Sequence, residues 1–185
     1  MNTVVTSKEE ILAASRELIR SQGWSAVSIR SVAGACGVSV GSIYNYFDSK
    51  ADLVSAAVES VWCDIFRLPG REEVFRDTLA CVVWIYRRME YGGRAYPGFF
   101  TLHSMGFLDI EKTGGKKRMA QTWQHIQGGL CTVLKQDPKV RPDAFDREFT
   151  AEKFADILFS LFLSALLRGD YNPASVLELI RRTVY

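Results

Sequence analysis

Residues 28–50, SIRSVAGACGVSVGSIYNYFDSK, leave room for little besides two short helices joined by one tight turn, with a third helix starting at once. Ser28 is placed to cap the first helix, its hydroxyl accepting from a free amide of the first turn. Ile29, Val32, Ala33 and Cys36 recur at helical spacing and form one apolar face. Ala33 is small where a second helix has to cross closely. Gly37 follows as the residue best able to enter the left-handed region and stop the helix. Val38 plugs the turn and Ser39 caps the second helix. The inward face of that helix is predicted as Val40, Ile43 and Phe47. Gly41, Ser42, Tyr44, Asn45 and Tyr46 then occupy its other faces, small or hydrogen-bonding groups suited to base edges and phosphates. The order Ala33, Gly37, Ile43 is that of a helix-turn-helix, whose second helix reads the major groove. A plain helical hairpin buried in a core would not crowd polar and aromatic groups onto the face it has to bury.

Three pieces in order, SKEEILAASRELIRSQGW, SIRSVAGACGVSVGSIYNYF and DSKADLVSAAV, span roughly residues 7–58. In these pieces the chain resembles the TetR family of bacterial transcriptional regulators, the run GSIYNYFDSK being the most specific part. The resemblance implies an all-α protein, with a three-helix DNA-binding domain (1–50) and a larger helical domain for ligand binding and dimerisation (51–185). It implies that Ser39, Val40, Gly41, Ser42 and Asn45 approach base edges, and that Tyr44 and Tyr46 meet a phosphate or a thymine methyl. Lys50, with the amides opening its helix, would pair with a phosphate. Ser28 and Arg30 complete the candidate DNA-binding set. Arg30 either touches the DNA or is simply a solvated surface residue. The resemblance further implies a repressor, bound to a palindromic operator and released when a small-molecule effector binds. The N-terminus MNTVVTSKEE, without a basic-then-apolar signal pattern, and the short apolar runs lead to the expectation of a cytoplasmic location.

Charge tempers this picture. Residues 1–52 carry five basic side chains (Lys8, Arg16, Arg20, Arg30, Lys50) and five acidic ones (Glu9, Glu10, Glu17, Asp48, Asp52), and the reading helix carries none. Phosphate neutralisation by Lys and Arg supplies most nonspecific affinity. Weak nonspecific binding, reliance on dimerisation and a shallow salt dependence are therefore expected. Asp48 stands where a basic residue would serve a phosphate better. The whole chain, 185 residues with a net charge of +2, argues neither for nor against nucleic acid.

Past the head, helical periodicity continues and no strand pattern is found. Ser7 with Glu10 forms a capping box. Ser49 with Asp52 opens a long helix to about Phe66, shared by head and remainder. A helix is predicted over 72–90, broken by Gly92-Gly93, and another after Gly114-Gly115 with a Met119, Trp123, Ile126, Leu130, Val133 stripe. Gly128-Gly129 inside it imply a kink or a close backbone approach. Residues 91–107 hold five aromatic side chains in 17 positions, over twice the chain's 12 %, as a lining or a lid would. Trp62, Phe66, Tyr86, Phe99, Phe100, His103, Met105, Trp123 and Gln127 are candidates for an apolar ligand site, each also readable as plain core. Arg94 either anchors an anion or solvates a loop.

The helix opening at Thr150 is apolar almost all round from Phe154 to Leu167, so it has to be covered on both sides. It is either the central core helix of one chain or half of a four-helix bundle in a homodimer. For the dimer, Phe154, Leu158, Leu161, Phe162, Ala165, Leu177 and Ile180 are the candidate interface residues. Its longest apolar run is about half of the roughly 20 residues a membrane span needs. Cys36, Cys63, Cys81 and Cys131 have no metal-binding spacing and are expected as buried thiols in a reducing compartment. His103 and His125 have no ligand partners at metal spacing. No catalytic constellation stands out, so neither metal, cofactor nor enzymatic activity is expected. The alternative function is a DNA-bound protein whose body docks a protein partner.

Overall fold

The computed structural model describes residues 6–67, 75, 77–100 and 114–185, without the side chains of 114–123 and 125. Its regular structure is helical, with no strand among the described residues. The helices are α1 (Lys8–Gln22), α2 (Ile29–Cys36), α3 (Val40–Tyr44), α4 (Lys50–Ile65), α5 (Thr78–Ala95), α6 (Gly114–Gln136), α7 (Ala151–Arg168) and α8 (Ala174–Thr183). A short 3-10 turn, Trp24–Ala26, links α1 to α2.

Helix starts follow local chemistry. Ser7 accepts from the Glu10 amide while the Glu10 carboxylate accepts from the Ser7 amide at 2.7 Å, the expected reciprocal box. Ser49 accepts from the Asp52 amide at 3.1 Å, but Asp52 turns to the Asp48 amide, so that box is one-sided. Thr150 caps α7 as expected. Gly169, at φ 63°, closes α7, with the Asp170 amide donating to Ala165.

α4 is the central strut. It packs on α1, α5 and α6. α6 lies along α7, and α8 closes against α5. The α7 side chains Phe154, Leu158 and Phe162 are buried within the chain. Tyr86 meets Phe162 edge-on at 5.7 Å between ring centres.

Three expectations change here. The Gly92-Gly93 pair does not break α5, which runs on to Ala95. A Cβ at Gly92 would lie 2.7 Å from Phe100 and 2.8 Å from Ile65, and one at Gly93 2.6 Å from the Tyr171 hydroxyl. The pair is there for close packing. Gly128 and Gly129 make no such approach, since a Cβ at either meets nothing within 4 Å. Of the four free cysteines, Cys81 is buried and its thiol is pushed up to about 12 by that burial, but Cys63 is exposed. Among the described residues, no helix is long and apolar enough to cross a membrane.

The far end of the body is stapled by its last residues. Tyr185 donates to the buried Asp137, whose carboxylate also accepts from the Thr78 amide at 2.7 Å. Asp77 caps α5 through the Leu79 and Ala80 amides and pairs with Lys139. Burial works to raise both carboxyls, but these donors outweigh it and hold both below the usual range. The unfolded chain ionises them near pH 4. Their contribution is therefore complete above that pH and is lost as pH falls through the lower folded values. Asp137→Asn is expected to lower the melting temperature at pH 7 by roughly 3–10 °C, the equivalent of about 1–3 kcal/mol. It should also flatten the loss of stability below about pH 4, as circular dichroism melts over a pH series would read.

Candidate nucleic-acid interface

The reading unit is assembled from local signals. Ser28 accepts from the Ser31 amide at 3.1 Å, and the Ser31 hydroxyl accepts from the Ser28 amide at 3.0 Å. Ser28 is thus half-buried and engaged as a cap. Arg30, beside it, is exposed. Gly37, at φ 67° and ψ 27°, ends α2, and the Val38 amide donates to Ala33 at 3.0 Å. Three residues separate α2 from α3, and the last of them, Ser39, caps α3 by accepting from the Ser42 amide. The Ser39 and Ser42 hydroxyls also pair with each other at 2.9 Å.

α3 is rooted by Ile43 and Phe47, both essentially inaccessible to water. Val40, predicted with them on the inner face, is instead 41 % exposed. It sits at the first position of a one-turn helix, a turn before the chain descends into the core, and so faces out with Gly41. Tyr44 is 51 % exposed, and Asn45 and Tyr46 are also on the surface. The Tyr46 hydroxyl donates to the Thr6 carbonyl, tying the end of α3 to the start of α1. Lys50 is the first residue of α4 and is exposed beside this face.

Lys8 was absent from the sequence candidates. Its ammonium lies 5.4 Å over the Phe47 ring, which brings a third exposed cation to the edge of the unit. Its signal is weak, a Lys in a first turn otherwise acidic. Arg16 and Arg20 are held against α4. Arg16 donates to Ser60, and Arg20 pairs with Asp64 at 2.8 Å, both on α4. What this surface can do is accept a polar, grooved partner: small groups permit close backbone approach, hydroxyls and an amide offer hydrogen bonds, and Lys8, Arg30 and Lys50 flank it.

The body places the other candidates as follows. Trp62, Tyr86, Phe99 and Phe100 are buried in the packed core. Phe66 is half-buried and stacks on Trp62 at 5.9 Å. Gln127 is half-buried and donates to Asp156 at 2.8 Å. His103, Met105 and the side chain of Trp123 lie outside the described residues. Arg94 is exposed and pairs with Glu90 at 2.6 Å, a surface pair worth little. An open cleft of about 280 Å³ at the end of α7 includes Phe100, Tyr96 and Tyr171. Among the candidate interface residues, Phe154, Leu158, Phe162, Ala165 and Ile180 are buried within the chain. Leu161 and Leu177 are half-buried. The outward apolar residues of these helices are Ile157 (44 % exposed), Leu167 (56 %) and Leu179 (38 %). Among the described residues, no group of His, Cys, Asp and Glu is arranged to hold a metal ion.

Comparison with known proteins points the same way. Residues 11–57 match the family model described as bacterial regulatory proteins, tetR family. The nucleoid occlusion factor SlmA of Vibrio cholerae is 26 % identical over 140 residues, covering 73 % of this chain and 70 % of that protein. In fold, the chain is similar to a TetR transcriptional regulator from Legionella pneumophila, with a TM-score of 0.60, 21 % identity and full coverage of both chains. It is also similar to a transcriptional regulator from Rhodococcus, with a TM-score of 0.56, 20 % identity, and 91 % and 86 % of the two chains covered.

Proposed function

Since the chain belongs to the tetR family of bacterial regulatory proteins and is a DNA-binding transcriptional regulator, we propose that it is a repressor that two copies hold on a palindromic operator. A small molecule binding in the body then releases it. Residues 1–50 serve as the DNA-binding domain and 51–185 as the ligand and dimer domain. The observation that carries this reading is the capped α2–turn–α3 unit, whose root, Ile43 and Phe47, is buried while Val40, Gly41, Tyr44 and Asn45 stand out in a row.

Pairing two heads under two-fold symmetry supplies what one small, weakly charged face lacks. The exposed residues Ile157, Leu167 and Leu179 are the surface offered for that pairing. The effector acts by binding better to a state in which α4 is tilted and the heads are re-spaced. A second reading, a DNA-bound protein whose body docks another protein, draws on the similarity to a protein named a nucleoid occlusion factor. Under that reading no small molecule lowers DNA affinity.

Fluorescence anisotropy on duplexes selected by the wild-type chain from a random library tests the proposal. Tyr44→Ala and Lys50→Ala are each expected to weaken the specific complex roughly tenfold, with two chains bound per duplex. Arg30 and Lys50 from two heads give a salt slope of about −4. Unchanged affinity in both variants would show that α3 is not the reading element.

A further inference from the structure

The last turn of α4 is held from two sides. A single carboxylate oxygen of Asp64 accepts from Arg20 of α1 at 2.8 Å, from the Tyr96 hydroxyl at 2.8 Å and from the Tyr91 hydroxyl at 3.3 Å. The Arg20 guanidinium lies 4.9 Å over the Tyr96 ring, so it is sandwiched between a carboxylate and an aromatic face. Arg88 of α5 donates to the backbone carbonyls of Asp64, at 2.9 Å, and Ile65, satisfying groups that a helix end leaves without partners. Ile65 itself sits in the notch at Gly92. Beside this, Trp24 of the 3-10 turn meets Phe99 at 6.2 Å, and Phe99 meets Trp62 at 5.2 Å. The described part of the aromatic-rich segment is therefore a joint. It fastens the head, through Arg20 and Trp24, to the body, at the end of α1 opposite the reading face.

We propose that Asp64 is a positioning residue for DNA recognition, with Arg20 and Tyr96 fixing through it the angle at which each head sits on its body. The proposal rests on the two-headed reading above, because only two heads on one duplex must keep a fixed spacing. Charge-assisted, multiply donated contacts of this kind are the strong and geometrically selective ones. A packed joint with two discrete arrangements is what a body-bound effector needs to bias.

The test uses the full chain. Asp64→Asn, Tyr96→Phe and Arg20→Gln are compared with the wild type on a selected duplex and on an unrelated duplex at low salt, alongside melting curves. Tyr96→Phe removes one oxygen only and keeps the ring, so it reads the joint even where Asp64→Asn unfolds the chain. The expected result is about a tenfold loss on the selected duplex with binding to the unrelated duplex unchanged, since each reading face stays intact. Arg20→Gln added to Asp64→Asn should bring no further loss. Asp77→Asn, at the far end of the body, should lower the melting temperature without touching DNA affinity. Equal losses on both duplexes, additive losses in the double variant, or full specific affinity in Tyr96→Phe and Asp64→Asn would overturn the proposal. A wild-type chain with no preference among duplexes would overturn both it and the reading beneath it.

Discussion

Gly41→Leu is expected to abolish specific DNA binding, by at least about a hundredfold, while the melting temperature stays level or rises. The two halves of this expectation have separate physical sources. A Cβ at Gly41 meets only the Ser39 hydroxyl oxygen, at 3.7 Å, an ordinary contact, and the residue's φ is not positive. Replacing a helical glycine by a better helix former stabilises by up to about 1 kcal/mol. The protein alone therefore has no objection to a side chain there. DNA does, if α3 lies in a groove, because Gly41 stands between Val40 and Tyr44 on the face that must approach base edges. Specific complexes are typically about 10³-fold or more tighter than nonspecific ones, and a wedge at the centre of the reading face forfeits most of that margin. Gly41→Ala should cost roughly tenfold. Calorimetric melts and anisotropy titrations on the same samples make the comparison, and a Gly41→Leu protein binding the selected duplex like the wild type would move the reading surface elsewhere.

Gly92→Val is expected to do the reverse, damaging the fold first and DNA binding as a consequence. Its Cβ would intrude to 2.7 Å from Phe100 and 2.8 Å from Ile65. Both neighbours are buried, so neither can swing into water. Overpacking of this kind costs about 1–3 kcal/mol even for one methyl, and valine adds two more carbons. A fall of roughly 5–10 °C in melting temperature follows for a chain of this size. Gly128→Ala is the control: nothing lies within 4 Å of its Cβ, it is exposed, and alanine there should stabilise by about 0.4–1 kcal/mol. If Gly92→Val melts no lower than Gly128→Ala, the close approach of α4 to α5 is not a constraint on the sequence.

These two glycines mark where the sequence is legible and where it is not. The head could be read because its information is local. Ser7, Ser28, Ser39 and Ser49 each bond an amide three residues on, and Gly37 bends the chain by itself. Ile43 and Phe47, four apart, are enough to orient α3. Val40 was misplaced because, at the first position of a one-turn helix, periodicity has too few residues to fix a face. The Gly92-Gly93 pair reads as a helix stop from propensity alone. Only contacts from Ile65, Phe100 and Tyr171, up to 78 residues away in sequence, turn it into a packing surface. In α7, Glu152, Lys153, Asp156 and Ser160 mark the outward face that Ile157 shares, but the long apolar run around them hides how sharply Phe154 and Leu158 are turned into the core. The Arg20–Asp64–Tyr96 contacts join residues 44 and 32 positions apart, beyond the reach of any spacing rule.

The hold of α4 on Arg16 and Arg20 has a kinetic side. Arg20 is neutralised by Asp64 and Arg16 is tied to Ser60, so the reading face is left with three flanking cations in a head that also carries Glu9, Glu10, Asp48 and Asp52. Long-range steering, which can lift association rates by 10–10³-fold, is then small, and so is the hold on arbitrary duplex that allows sliding. A chain built this way finds its site mainly by repeated three-dimensional encounters, at an association rate nearer the unsteered 10⁵–10⁷ M⁻¹s⁻¹. Under the two-headed reading proposed above, occupancy of the operator is then set by how slowly the paired heads leave.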